Sequence, residues 1–348
     1  MNQRNSSPER TIQEYIARHF NQPPDRVRVI RLAGDASTRQ YYRVSWADGP
    51  SYVVARYPEP IDATTHSTCQ ITRLFLQARL PVPRILDIAE SEGLMLLDDL
   101  GDIRLQDWLS TTNAQARREG YRQAIDLILR IQEATRLAIE SGNVAAQLAF
   151  DETKLGWELA FFYENFFEKF LGLPLSPERR SDIFDEFTAI SRDLASLPRV
   201  LCHRDYHSRN LMLHQEQWFI IDHQDARMGP VSYDLASLLG DPYVELDDDF
   251  HSEIYDYFVA RRVKSQPKIP DPTWPTQFGL EYQLMLIQRL LKATGTYAYQ
   301  MAVMGNDVYL PYIPRSIQRA LAALHTLNRF PAIGETLERC TAAVEVGQ

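Results

Sequence analysis

Cys202-His203-Arg204-Asp205-Tyr206-His207-Ser208-Arg209-Asn210-Leu211-Met212, with Asp222 twelve residues beyond Asn210, is the stretch on which the reading of this chain turns. It has the form H-x-D-x4-N and lies between two short apolar runs, residues 200–202 and 218–221, with Asp222 at the end of the second. Runs of that length read as strands, and polar side chains on the loops beside them are where chemistry concentrates. Asp205, Asn210 and Asp222 answer three needs of phosphoryl transfer. One carboxylate orients the attacking hydroxyl and accepts its proton, while an amide and a second carboxylate hold magnesium against phosphates. One amide oxygen and one carboxylate, completed by phosphates and water, suit the hard octahedral shell of Mg2+. His203, just after an apolar strand, reads as a buried histidine that braces the loop by hydrogen bonding.

Upstream of this loop the first hundred residues are mostly sheet. A short helix over 12–20 precedes strands over 27–32, 40–45 and 52–56, separated by Gly and Asp turns. A helix over 65–78 stops before Pro81 and Pro83, and strands over 85–89 and 94–97 follow. From Leu105 the periodicity turns helical, with Tyr121, Ile125, Ile128 and Leu129 on one face and an aromatic-rich helix over 157–170. Trp157, Phe161, Phe162, Phe166 and Phe167 at that spacing form either core or the wall of a substrate site. The expectation is an α+β chain of two lobes, a β-rich nucleotide-binding lobe over 1–98 and a mainly α lobe over 99–348 that carries the catalytic loop, metal site and acceptor pocket.

With 348 residues and 45% hydrophobic content the chain can bury cores for both lobes. A net charge of -9 offers no broad basic surface for a phosphate backbone, which argues against nucleic acid as a partner. Cys69, Cys202 and Cys340 are far apart in the chain and form no C-x-x-C pair, as expected of reduced thiols in a cytoplasm. The first ten residues hold no apolar signal core, and no run of ~18 apolar residues would span a bilayer, so a cytoplasmic protein without a membrane partner is expected.

The order strand, H-x-D-x4-N loop, strand, Asp222, downstream of a β-rich half, resembles the aminoglycoside phosphotransferase-like branch of the protein-kinase-like fold. Within it, Ile221-Asp222-His223-Gln224-Asp225-Ala226, Gly229-Pro230-Val231-Ser232-Tyr233-Asp234-Leu235-Ala236, Gly34-Asp35-Ala36-Ser37-x-Arg39-x-Tyr41-Tyr42-Arg43 and Gln288-Arg289-x-x-Lys292-x-x-Gly295-Thr296-Tyr297 resemble the bacterial anomeric amino-sugar kinases. The resemblance covers most of residues 32–315. It implies ATP, Mg2+ and transfer to C1 of N-acetylmuramate or N-acetylglucosamine in cell-wall sugar salvage. The same machinery would serve an aminoglycoside, choline-like or homoserine-like hydroxyl.

On the nucleotide side, Gly34, Ser37, Thr38 and Arg39 would present backbone N–H and polar groups to phosphates. Protein-kinase-like folds place a lysine on the third strand and pair it with a glutamate of the next helix. Here that strand ends in Arg56 and residues 65–78 contain no Glu, which raises the alternative of a nucleotide-binding regulator without turnover. Arg56 is either a substitute cation or a surface charge. The segment from Leu94 through Asp98 to Leu100 reads as the hinge that meets adenine, with Asp98 solvated or facing ribose. Acceptor contacts are expected from Arg209, Gln224 and Asp225. Arg289 and Lys292, three apart on a helix, either bind a substrate carboxylate or form a solvated face. Asp234 is expected to cap the helix that starts at Leu235.

Overall fold

The computed structural model describes residues 7–32, 39–47, 49–265 and 273–346, of which 341–346 in backbone alone. The chain divides into two compact units, Met1–Ile103 with Met212–Gln224, and Arg104–Leu211 with Asp225–Gln348.

The first unit is built on one antiparallel sheet. Its strands are β1 (Arg28–Arg31), β2 (Gln40–Ser45), β3 (Tyr52–Arg56), β4 (Ile85–Ala89) and β5 (Leu94–Asp98), in the order β1-β2-β3-β5-β4. Period-two alternation gives the sheet two apolar faces. Tyr42, Val44, Val54, Leu94 and Leu96 pack with Ile12, Tyr15 and Ile16 of the helix Pro8–Phe20. Ala55 and Met95 point the other way, toward Cys69 of the helix Ser67–Gln77. The register Tyr42↔Val54 and Val54↔Leu96 stacks the first set into a single layer. Each large side chain so buried contributes about 1.5–3 kcal/mol. Ser7 caps the first helix by accepting from Arg10 N–H, with Pro8 opening it.

The second unit is mostly helical. Its strand β6 (Arg199–Cys202) ends one residue before His203 and pairs antiparallel with β9 (Arg227–Pro230). Between them in sequence come β7 (Leu211–His214) and β8 (Gln217–Ile220), whose hairpin turns through Gln215 and Glu216 at positive φ. The hairpin is tied by Leu213 N–H to Ile103 O at 2.7 Å and by Ile220 N–H to Pro81 O at 2.8 Å, both bonds lying within the first unit. The helix Trp274–Ala302 buries Phe278, Met285, Ile287 and Leu291 against its neighbours. Gly295 lets it close on the helix Glu152–Phe162, because a Cβ there would stand 2.6 Å from Phe162 Cα.

The α+β class and the protein-kinase-like arrangement of elements match the expectation from sequence. Strands expected over 40–45, 52–56 and 85–89 have those bounds, whereas β9, with Gly229 and Pro230 among its four residues, does not stand out as a strand. Of the aromatic cluster, Phe162, Phe166 and Phe167 are core, while Trp157 is 57% exposed with Lys154 Nζ 4.2 Å from its ring centre. Asp234 does not cap its helix. It lies inside Tyr233–Leu239, and its carboxylate turns instead to the backbone of the catalytic loop.

Candidate active site

The loop after β6 is held from below. Asp234, fully buried, accepts from His203 N–H at 2.7 Å and Arg204 N–H at 3.1 Å. Asp241 accepts from Ser208 N–H at 2.8 Å, and Tyr206 donates to the Ala124 carbonyl at 2.8 Å. Burial raises the Asp234 carboxyl, against the pull of His203 and the two backbone N–H groups it receives. Arg204 sits at φ +92°, a conformation uncommon outside glycine, so the loop stores strain that these anchors offset. His203 is buried with its ring edge-on to Tyr206.

Asp205 emerges from this loop into a cluster of cations. Lys292 Nζ lies 3.0 Å and Arg289 Nη2 3.4 Å from its Oδ1, and Arg204 Nε lies 3.7 Å from its Oδ2. Burial alone would raise the carboxyl, but Lys292, Arg204 and Arg289 together hold it well below the ordinary carboxylate range. Arg289 is itself fixed by donating to the Tyr233 hydroxyl at 2.7 Å, and Tyr233 stacks on Phe150. Glu158, also buried, accepts from Gln288 at 2.9 Å and pairs with Lys154 at 3.4 Å. Asn210 donates through Nδ2 to the Asp205 carbonyl at 2.9 Å, so its amide oxygen is the atom left to meet a cation.

The first unit holds Asp222, at φ +59°. Its Oδ1 accepts from Arg39 Nη2 and from Gln224 Nε2, each at 3.0 Å, and 39% of its side chain is exposed. The next residue, His223, is buried. Its Nε2 is 2.7 Å from Thr72 Oγ1, and its ring stacks on Phe75, so the helix Ser67–Gln77 is fastened to this segment without a glutamate. Arg56 donates to Gln40 Oε1 at 3.0 Å. Asp98 receives Arg84 on both oxygens at 2.8 and 2.9 Å, and Arg43 binds Asp99 and Asp102, so the acidic segment around buried Leu100 is internally paired. Gly34, Ser37 and Thr38 lie outside the described residues.

Thus the structure brings Asp205 together with Arg289 and Lys292, and Asp222 with Arg39 and Gln224. Asp225 pairs with Arg204 at 3.0 Å. Arg209 hydrogen-bonds Gln106 at 2.9 Å and the Tyr312 hydroxyl at 3.0 Å, with its guanidinium 3.7 Å from the centre of the Tyr243 ring. Sequence reasoning missed Thr72 and Arg204. Only Arg204, inside the H-x-D motif, carried a local signal. Asn210 and Asp222 offer hard oxygens, the donor type that magnesium takes.

A unit built on an antiparallel sheet and a mostly helical unit whose strand β6 leads into a buried H-x-D-x4-N loop are the parts of a protein-kinase-like phosphotransferase. Residues 28–272 match the phosphotransferase enzyme family, and the chain belongs to it. It is 30% identical over 325 residues to the N-acetylmuramate/N-acetylglucosamine kinase of Pseudomonas aeruginosa, covering 93% of this chain and 91% of that one. It is also 30% identical over 285 residues to the kinase of the same name from Neisseria meningitidis serogroup B, covering 81% of each. A solved aminoglycoside phosphotransferase, a thermostable mutant bound to ADP and hygromycin B, shares the fold with a TM-score of 0.53 at 15% identity, covering 91% of this chain and 98% of that one. The protein is an ATP-dependent kinase of a small molecule. Among the described residues no helix is long and apolar enough to cross a membrane.

Proposed function

We propose that this kinase phosphorylates the anomeric C1 hydroxyl of N-acetylmuramate or N-acetylglucosamine, in the cytoplasmic recycling of peptidoglycan sugars. The observation that carries the reading is the Asp205 carboxylate, locked by Lys292 and Arg289 yet still 23% exposed, on a loop of the H-x-D-x4-N form. The substrate class is supported by the two kinases with which the chain shares 30% identity over most of its length.

In this reading Asp205 receives the hydrogen bond of the acceptor hydroxyl and aims its oxygen at the γ-phosphorus of ATP. Mg2+, when bound, neutralises phosphate charge as it develops; the Asn210 amide oxygen and the Asp222 carboxylate would be its protein ligands. Arg39, which donates to Asp222, would supply a cation for the nucleotide phosphates, as would the backbone N–H groups expected of residues 34–39. Backbone groups from Asp98 to Leu100 meet adenine, and Arg56 steadies β2 through Gln40. Gln224 orients Asp222, and Asp225 and Arg209 hold the walls of the acceptor side through Arg204 and the Tyr243–Tyr312 pair.

The test is phosphorus NMR of the product from a panel of sugars and alcohols with ATP and magnesium. An anomeric phosphate from N-acetylmuramate or N-acetylglucosamine is expected. Inert amino sugars beside turnover of an aminoglycoside, choline or homoserine would reassign the acceptor. Nucleotide binding with no turnover of any acceptor would make the protein a regulator.

A further inference from the structure

A cleft of about 470 Å³ opens in the second unit where four elements meet: the ends of the helices Ala114–Glu133 and Asp248–Ser265, the helix Thr135–Glu140, and the start of β6. It contains no residue of the H-x-D-x4-N loop. Arg262 enters it from the last turn of Asp248–Ser265 and is only 6% exposed, yet among the described residues its guanidinium makes no hydrogen bond and no ion pair. Cations so enclosed are ordinarily paired. Burial draws this guanidinium below its ordinary pKa, against the pull of Glu133. Glu133, at the exposed side of the cleft, makes no ion pair either, so the two charges feel each other without closing. Arg136 and Glu140 on the rim pair with each other at 2.6 Å and cancel.

We propose that this cleft is a second ligand site, for a free α-amino acid with an apolar side chain: its carboxylate closes on Arg262, its ammonium meets Glu133, and its side chain lies on Ile139 and Val200. A guanidinium matches a carboxylate through two parallel N–H bonds. A phosphate dianion there would face Glu133 uncompensated, and a simple carboxylate would leave Glu133 unmet. A zwitterion answers both charges at once, and the volume is that of a small-molecule site. The walls of the cleft also reach the supports of the catalytic loop. Gln132 donates through Nε2 to the Val231 carbonyl at 2.9 Å, three residues before Asp234, and the Thr135 hydroxyl accepts from Leu201 N–H at 2.8 Å, two residues before His203. An occupant is therefore felt at both segments that carry the loop and its anchor.

The test is calorimetric titration of the full chain with leucine as the probe, beside isopentylamine and isocaproate, which lack its carboxylate and its ammonium. Leucine is expected to bind with a Kd of about 1 mM or tighter, and each fragment about tenfold or more weaker. Arg262→Met should weaken leucine by about 10–100-fold without lowering the Tm of the free protein, because an enclosed cation lacking a counter-charge is a cost to the fold. Leucine that fails to bind, or that binds Arg262→Met as well as the wild type, overturns the site. Isocaproate as tight as leucine also overturns it, since the ammonium would then have no partner. If Arg262→Met does not fold, Glu133→Gln at the exposed side decides: a loss of about tenfold for leucine with isocaproate unchanged is expected, and equal leucine affinity sinks the idea. Hydrogen exchange reads the link to the loop. Bound leucine should slow exchange of the Leu201 amide, and an unchanged rate there overturns that link. None of these readouts depends on which acceptor the kinase uses.

Discussion

Asp205 and Asp222 are two carboxylates of one motif, to which the proposed function gives different tasks, and their surroundings differ in kind. Asp205 is enclosed, faces Lys292, Arg289 and Arg204, and is held well below the usual carboxylate range. Asp222 is 39% exposed and bound through one oxygen by Arg39 and Gln224. A group whose task is to aim a hydroxyl benefits from being fixed in advance. A group proposed to accept a metal ion benefits from partners it can exchange, and solvent that reaches 39% of the Asp222 side chain weakens its pairing with Arg39.

That contrast makes divergent predictions. Asp205→Asn is expected to lower kcat by about 10²–10⁴-fold and, by stranding Lys292 and Arg289 without their counter-charge, to cost on the order of 3 kcal/mol of stability. Asp222→Asn should also abolish most turnover, but with stability changed by less than about 0.5 kcal/mol in urea titration. Equal losses of stability in the two variants would erase the distinction. Because the folded Asp205 carboxyl is depressed, its contribution is complete above the unfolded value of about 4 and is lost as pH falls through the folded one. Asp205→Asn should therefore flatten the decline of stability below about pH 4.

Smaller effects sharpen the two environments separately. Gly295→Ala pushes a methyl against Phe162 and displaces the helix that carries both cations, so a loss of about 1–3 kcal/mol is expected, with lower kcat. On the Asp222 side, Thr72→Val leaves His223 without its hydroxyl partner, at about 1–3 kcal/mol by thermal unfolding, and should weaken ATP binding in magnesium. Least of all, Arg84→Ala breaks a pair whose arginine is 67% exposed and should stay within about 1 kcal/mol.

What could be read from the chain alone follows from where each signal lies. Alternating Tyr42, Val44, Val54 and Leu96 announce a sheet because strand geometry is written in neighbouring residues. Asp205, Asn210 and Asp222 announce a chemistry because their spacing is short. Arg289 and Lys292 were recognised as a pair on one helix face, but their partner lies more than eighty residues earlier, and no local pattern names it. Arg209 illustrates the converse. Its place in the loop points to an acceptor contact, while its guanidinium is spent on Gln106, Tyr312 and the face of Tyr243. Asp234 has the composition of a cap, but its carboxylate takes the backbone N–H groups of the strained loop, which lie far away in sequence.

The contact between Thr72 and His223 has a consequence for working conditions. An ammonium–carboxylate tether in the same place would be weakened by dissolved ions within a Debye length of about 8 Å at physiological ionic strength. A buried hydroxyl–imidazole bond, backed by the stack on Phe75, offers mobile ions almost nothing to screen. The grip of this helix on the segment carrying Asp222 should hold in brine as it does in dilute buffer.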